Sequence, residues 1–337
     1  MNVLISNWSS VQSLPESYIF PPERRPGTYI IPSSKDIPLI DLENINGPER
    51  ALIAQQIVKA CQNFGLFQVI NHGVSRELMD QTMKVFKEFF ASPAEFKAIF
   101  YSNDLNSSCR LYTSTLNYEN EKIHYWRDNL THRCHPLEDH IDCWPEDPHY
   151  RKVVGEYSIE VKKFLLTILE LICDGMGLER GYFKGELIKN QLISVNHHIP
   201  CPDPSLTLGM QAHCDPNLIS ILQQGNVCGL QALKDGQWIG VEPLPDSFVV
   251  IPGLQLRVIS NGKLKSVVHR VVTDSKKSRT TIGTFLIPSN DILIRPADAL
   301  LGSPDKPMYH GYTYKEFFST FIGNNCEAER ALECFKL

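Results

Sequence analysis

The 337-residue sequence has no excess of positive charge: 33 Lys and Arg stand against 38 Asp and Glu, a net charge of −5 at pH 7. Without a basic stripe there is nothing to neutralise nucleic-acid phosphates or anionic lipid headgroups, so neither is an expected partner. A long apolar run is missing as well. The richest one, FLLTILELI at 164–172, carries Glu170 inside it and falls well short of a membrane span. Ten cysteines are present but no C-x-x-C pair, in a chain too large to need covalent staples. The thiols therefore read as reduced. The opening residues, MNVLISNWSSVQSLPE, have neither the basic stretch nor the apolar core of a secretory leader, which points to a cytoplasmic protein. On that reading the N-x-S/T sequons at Asn7, Asn106 and Asn129 go unused. Internal repeats and low-complexity tracts are also absent.

What remains is ordinary globular usage, 42% hydrophobic and 21% charged, enough for one large core or two unequal ones. We expect a monomer that takes a small-molecule substrate.

Residues 1–36, rich in Pro, Ser and Arg and ending in PSSKD, read as a loosely ordered arm. Residues 37–180 read as a helical and strand region packed on the core. IPLIDL (37–42) and LFQVINHG (66–73) suit short strands. The segment 48–65 has Leu52, Ile53, Ile57, Cys61 and Phe64 at helical spacing, with Gly65 as its stop. A second helix opens at Ser75 as N-cap and closes before Pro93. A third, over 150–177, puts Val154, Tyr157, Val161, Phe164, Ile168 and Ile172 on one face.

From about residue 190 the pattern becomes short strands between turn residues: QLISVNHHI, LISILQ, GLQAL, QWIGVE, SFVVI, LQLRVIS, KSVVHRVV and RTTIGTFLI. That rhythm over 181–300 predicts a mainly β core, closed or two-sheeted, such as a jelly roll. Residues 301–337 read as a C-terminal helix or lid.

The stretch QAHCDPNL places His213 and Asp215 two apart, a spacing that aims both side chains to one face of a strand. His269 sits in the apolar strand KSVVHRVV, where Val or Ile is the usual occupant. Taken singly it reads equally as a neutral core histidine bonded to a carbonyl. Arg279 opens an otherwise apolar strand, and a guanidinium there is expensive unless it meets an anion; Thr281, facing the same way, adds a hydroxyl. Two imidazoles and a carboxylate suit the facial triad of a non-haem Fe(II) oxygenase, although a zinc hydrolase accepts the same ligands. An anion clamp ten residues past the second histidine favours iron.

The order His213-x-Asp215, His269, Arg279-x-Thr281, together with FGLFQVINHG and NHHIPCPDP, resembles the plant soluble Fe(II)/2-oxoglutarate-dependent dioxygenases over nearly the whole chain. Within that family SNWS, YWRDNLTHRCHPLED, NLISILQQ and HRVVTD look nearest to the hyoscyamine 6-hydroxylases and to the salicylate and flavone-type hydroxylases of the downy-mildew-resistance group. The resemblance implies a distorted double-stranded β-helix (jelly roll) supported by N-terminal helices. It also implies His213, Asp215 and His269 as catalytic iron ligands, and Arg279 and Thr281 on the distal carboxylate of 2-oxoglutarate with Asn196 and His198 beside it. O₂ is the oxidant, ascorbate a supporting reductant, and succinate and CO₂ the co-products of an oxidation, by default a hydroxylation.

Three departures stand out. Thr281 replaces the family's serine, keeping the hydroxyl. His198 replaces a tyrosine, which introduces a group expected to change charge near neutral pH. Ile251-Pro252-Gly253-Leu254 replaces Asn-x-Gly-Asp. Every proposed metal ligand is retained, so a catalytically silent binding protein is the weaker reading. For the substrate wall the resemblance points to Tyr112, Tyr125, Trp126 and Phe285, with Tyr309 or Tyr312 in a lid. Glu119 and Glu121 are the acids on offer to a basic alkaloid; a phenolic or flavonoid acceptor is the other expectation.

Overall fold

The computed structural model describes residues 4–8, 11–28, 31, 36–104, 106–115, 118–302, 306–324 and 327–337. In chain order, β1 (Leu39–Asp41), α1 (Arg50–Asn63), β2 (Phe67–Ile70), α2 (Arg76–Ala91), α3 (Ala94–Ala98), β3 (Cys109–Thr113), β4 (Asp128–Arg133) and the long α4 (Pro148–Met176) make the first half. The second half runs through β5 (Asn190–His198), β6 (Met210–His213), β7 (Ile219–Gln223), β8 (Leu230–Lys234), β9 (Gln237–Gly240) and β10 (Phe248–Pro252). There follow α5 (Leu254–Ile259), β11 (His269–Val271), β12 (Arg279–Ile287), β13 (Leu293–Ile294), β14 (Tyr312–Thr313), α6 (Tyr314–Gly323) and α7 (Ala328–Glu333).

Local chemistry sets the helix ends. Gly65 and Gly177 follow α1 and α4 in the left-handed region, at φ 82° and 73°, where a side chain would be strained. Ser75 caps α2 by accepting the Leu78 N–H at 3.1 Å. The apolar stripe expected on α4 is buried from Val154 to Ile172, each such side chain contributing roughly 1.5–3 kcal/mol.

Two sheets face each other. The larger has the order β1-β2-β10-β7-β12-β5-β4-β3, the smaller β6-β11-β8-β9. Along β12 the residues alternate: Ile282 and Leu286 join the core under the helices, while Arg279, Thr281, Gly283 and Phe285 turn to the other face. The register carries that inner face across the sheet, matching Arg279 with His198, Thr281 with Asn196 and Phe285 with both Leu192 and Ser220.

Three expectations need correction. LQLRVIS is the helix α5 rather than a strand, because Leu254, Leu256, Val258 and Ile259 are all buried and a turn of helix presents them to the core from one short segment. The first half does more than pack on the core: β1, β2, β3 and β4 are half of the eight-stranded sheet, so the division at residue 180 runs through a continuous hydrogen-bonded layer. β3 and β4 were hidden by polar inward residues such as Arg110, Asn129 and Thr131, which break the apolar alternation. In the same sheet the sequon residue Asn129 is buried and bonded to Ser194.

The N-terminal arm is also held more tightly than its composition suggests. Ile5, Tyr18 and Phe20 are essentially inaccessible, and Asp128 accepts the backbone N–H of Ile5 at 3.1 Å and of Ser6 at 2.7 Å. The Pro32 to Lys35 part of PSSKD lies outside the described residues. Asp128→Ala strands one buried and one part-buried donor, so we expect a loss of about 1–3 kcal/mol and new protease cuts before residue 28. An unaltered digestion pattern would show that this carboxylate does not hold the arm.

Candidate metal centre and cosubstrate site

The ends of two short strands bring three donors together. His213 is the last residue of β6 and His269 the first of β11, directly opposed in an antiparallel pair. Asp215 follows β6 by two residues, and its Oδ1 lies 3.5 Å from His213 Nε2 and 3.6 Å from His269 Nε2. All three donor atoms fall within 4.8 Å of one another.

Each donor is oriented from behind. His213 Nδ1 donates to the Gln211 carbonyl at 2.9 Å and His269 Nδ1 to the Val267 carbonyl at 3.2 Å, which leaves both Nε2 lone pairs facing inward. Ser220 Oγ donates to Asp215 Oδ2 at 2.5 Å, so Oδ1 alone remains toward the histidines. Burial and the neighbouring His213 push the His269 pKa down to about 4. Burial works against the Asp215 carboxylate, yet the two imidazoles and the Ser220 hydroxyl outweigh it and hold its pKa well below the usual carboxylate range. At neutral pH His269 is thus a neutral imidazole and Asp215 a carboxylate, and with His213 beside them they form a donor set of the kind that binds a divalent ion.

Sequence reading missed Ser220, whose role rests on a contact between β7 and the loop after β6 that spacing does not reveal. Ser220→Ala is expected to weaken Fe(II) binding about 10- to 100-fold with the fold intact, read by metal titration of the folded protein. Equal affinity would mean that Asp215 needs no second partner.

Leu254 explains why the altered IPGL segment leaves this loop intact. Its side chain is buried, while its backbone N–H donates to the Asp215 carbonyl at 2.8 Å. That bond is indifferent to the side chain at 254.

Arg279 is 2% exposed, with Nε on the Val227 carbonyl at 3.1 Å and Nη2 buried without a partner among the described residues. Burial lowers its pKa to about 10, so it stays charged at neutral pH, and no described carboxylate acts on it. A buried guanidinium left so is costly until an anion arrives. Two glycines make room: a Cβ on Gly229 would come within 2.8 Å of Arg279 Nε, and one on Gly209 within 2.6 Å of the His198 ring.

His198 corrects the expectation of a charge that varies near neutrality. Burial, with the guanidinium groups of Arg279 and Arg127 nearby, holds its pKa well below the ordinary value, and the ring stays neutral. Its Nδ1 donates to the Arg279 carbonyl at 3.3 Å, leaving Nε2 an acceptor without a partner among the described residues. Asn196 accepts from Arg127 Nη1 and Asn129 Nδ2, both at 2.8 Å, on the strand beside Thr281.

The candidate wall residues divide. Tyr112 and Phe285 lie on the inner face of the large sheet, and the Phe285 ring crosses Gly283. Tyr125 donates to Gln211 Oε1 at 2.5 Å, two residues before His213. Trp126, at the bend before β4, is turned the other way; it packs between Trp8 and Tyr18 under the arm and donates to the Ile199 carbonyl at 3.0 Å. Tyr309 and Tyr312 are 1% and 2% exposed and belong to the apolar core, with Tyr312 Oη bonded to Gln255. Neither stands as a loose lid. Glu121 is committed to Thr115 Oγ1 and His124 Nδ1.

Comparison with known proteins separates the two metal readings. Residues 189–288 match the 2OG-Fe(II) oxygenase superfamily, and residues 37–151 match the N-terminal domain of non-haem dioxygenases in morphine synthesis. Hyoscyamine 6-dioxygenase from Hyoscyamus niger is 44% identical, covering 100% of this chain and 99% of that protein. Protein DOWNY MILDEW RESISTANCE 6 from Arabidopsis thaliana is 41% identical with 98% of each covered. Among solved structures, JOX2 in complex with 2OG, Fe and JA superposes with a TM-score of 0.84 at 31% identity, over 98% of this chain and 96% of JOX2. A His-Asp-His trio on the smaller sheet and a buried arginine without an acid partner on the larger agree with that kinship: the chain belongs to the 2OG-Fe(II) oxygenase superfamily, as a plant-type dioxygenase that uses Fe(II), 2-oxoglutarate and O₂.

Proposed function

We propose that this chain hydroxylates a small plant specialised metabolite, an alkaloid or a phenolic, as a cytoplasmic monomer supported by ascorbate. The observation that carries the reading is the convergence of His213 Nε2, Asp215 Oδ1 and His269 Nε2 within 4.8 Å, in a fold where Arg279 waits buried and unpaired. Arg279 and Thr281 hold the distal carboxylate of 2-oxoglutarate, Asn196 and His198 shape the wall beside it, and Tyr112, Tyr125 and Phe285 border the acceptor. When bound, the iron couples decarboxylation of 2-oxoglutarate to oxidation of a C–H bond, giving succinate and CO₂. The protein's own share is orientation and exclusion of water. The nine described cysteines are all free, which suits a reducing compartment, and no described helix is long and apolar enough to cross a membrane.

The test is anaerobic reconstitution with Fe(II) and 2-oxoglutarate, followed by oxygen and a panel of alkaloids and phenolics. A weak visible charge-transfer band, then succinate release above background with one class, supports the proposal. Absence of the band would defeat it.

A further inference from the structure

The inner face of the large sheet carries more positive charge than the cosubstrate needs. The register lines up Tyr112 of β3 with Asn129 of β4, then Asn196 and Thr281 on the next two strands, so this row ends at the cosubstrate clamp. One step along the strands, Arg110 lies opposite Thr131 on the same face. Arg127, just before β4, reaches Asn196 in the first row.

Both residues are buried, at 7% and 5% exposure, and neither guanidinium is hydrogen-bonded to a described carboxylate, although Asp104 acts on Arg110 from a distance. Arg110 donates Nε to Thr131 Oγ1 at 3.3 Å and Nη1 to the backbone carbonyl of Asp104 at 3.2 Å, leaving the Asp104 carboxylate to the Asn106 N–H. Arg127 donates Nε to the Ser114 carbonyl at 2.8 Å and Nη1 to Asn196 Oδ1. The acid acting on it from a distance, Glu121, is engaged by Thr115 and His124. The remaining N–H groups of each arginine have no acceptor among the described residues. The Tyr112 phenol lies near enough to act on both charges. Unlike Arg279 Nη2, these free N–H groups are not sealed from solvent, so they are open to a ligand anion while the rest of each side chain is buried.

We propose that Arg110 and Arg127, with Tyr112 between them, form an anion subsite that receives a carboxylate of the acceptor substrate. This deepens the dioxygenase reading and rests on it: of the two acceptor classes proposed above it selects an acidic phenolic over a protonated alkaloid, which the two guanidinium groups disfavour. Arg279 keeps 2-oxoglutarate, and the new subsite fixes the far end of the second molecule.

The experiment titrates anaerobic protein, loaded with Fe(II) and 2-oxoglutarate, with three matched probes: 3-phenylpropanoate, its methyl ester and 3-phenylpropylamine, and with the corresponding naphthyl series. The visible band reports binding. The acids are expected to bind about 10- to 100-fold more tightly than the esters or amines, the range for a charge-assisted hydrogen bond. Arg127→Gln and Arg110→Gln should each remove that preference, Arg110→Gln while changing 2-oxoglutarate affinity less than about threefold, and Arg127→Lys should restore part of it. An ester or amine bound as well as the acid, a preference untouched by either substitution, or no acid binding at all overturns the subsite. Failure of the band to form without any probe instead removes the dioxygenase reading, so the two failures are distinct.

Discussion

Asp215→Ala is expected to abolish turnover and strip the protein of iron while leaving it folded. The carboxylate supplies the only negative charge among the three donors, and its loss leaves two imidazoles with ring centroids 4.3 Å apart and no counter-charge for a divalent ion. The effect should exceed the roughly 10- to 100-fold loss that follows removal of an outer hydrogen-bond partner. His213→Ala and His269→Ala should behave alike. The check is metal content after desalting together with succinate formation under oxygen. Cys214→Ser is the control between two ligands: its Sγ points away, 3.4 Å from the Ser266 carbonyl in the core, so turnover should persist and any cost should fall on stability. Retained iron and activity in Asp215→Ala would mean that the ion sits elsewhere.

Arg279→Ala should raise the Michaelis constant for 2-oxoglutarate by about two to three orders of magnitude, because a carboxylate left unpaired in a buried site costs roughly 3–5 kcal/mol. The maximal rate at saturating cosubstrate should fall far less, since the iron ligands are on the other sheet. Arg279→Lys should lie between, keeping a charge but losing the two-pronged geometry. Gly229→Ala provides an independent route to the same outcome: its new Cβ would lie 2.8 Å from Arg279 Nε and 2.8 Å from the Val272 carbonyl, and the side chain would have to move. An unchanged Michaelis constant in Arg279→Ala would show that the clamp holds something other than 2-oxoglutarate.

Much of the candidate site is legible in the order of residues because its chemistry is short-range along the chain. His213-x-Asp215 occupies a strand end and the residues just after it, and Arg279-x-Thr281 opens β12 on one face, a relation that period-two alternation enforces. Reading failed where the chain leaves the strands. Tyr125 and Trp126 sit at a tight turn before β4, closed by the Arg127 N–H on the Tyr125 carbonyl, and it sends one side chain to Gln211 on the metal strand and the other to the underside of the arm. The LQLRVIS segment is apolar at every other position and at helical spacing alike, and only its neighbours choose between them.

Composition and motif order by themselves determined the class of chemistry, the three clustered donors and the mainly β core, because each depends on residue type and local period. Tertiary structure alone decided which groups share a face. It turned the inward faces of β3 and β4 toward the clamp, gave Asp215 its Ser220 partner, and shut His198 away from water so that it remains neutral. Those outcomes depend on cross-strand register and burial, and both are properties of chain segments meeting across the sequence, with contributions that no local pattern contains.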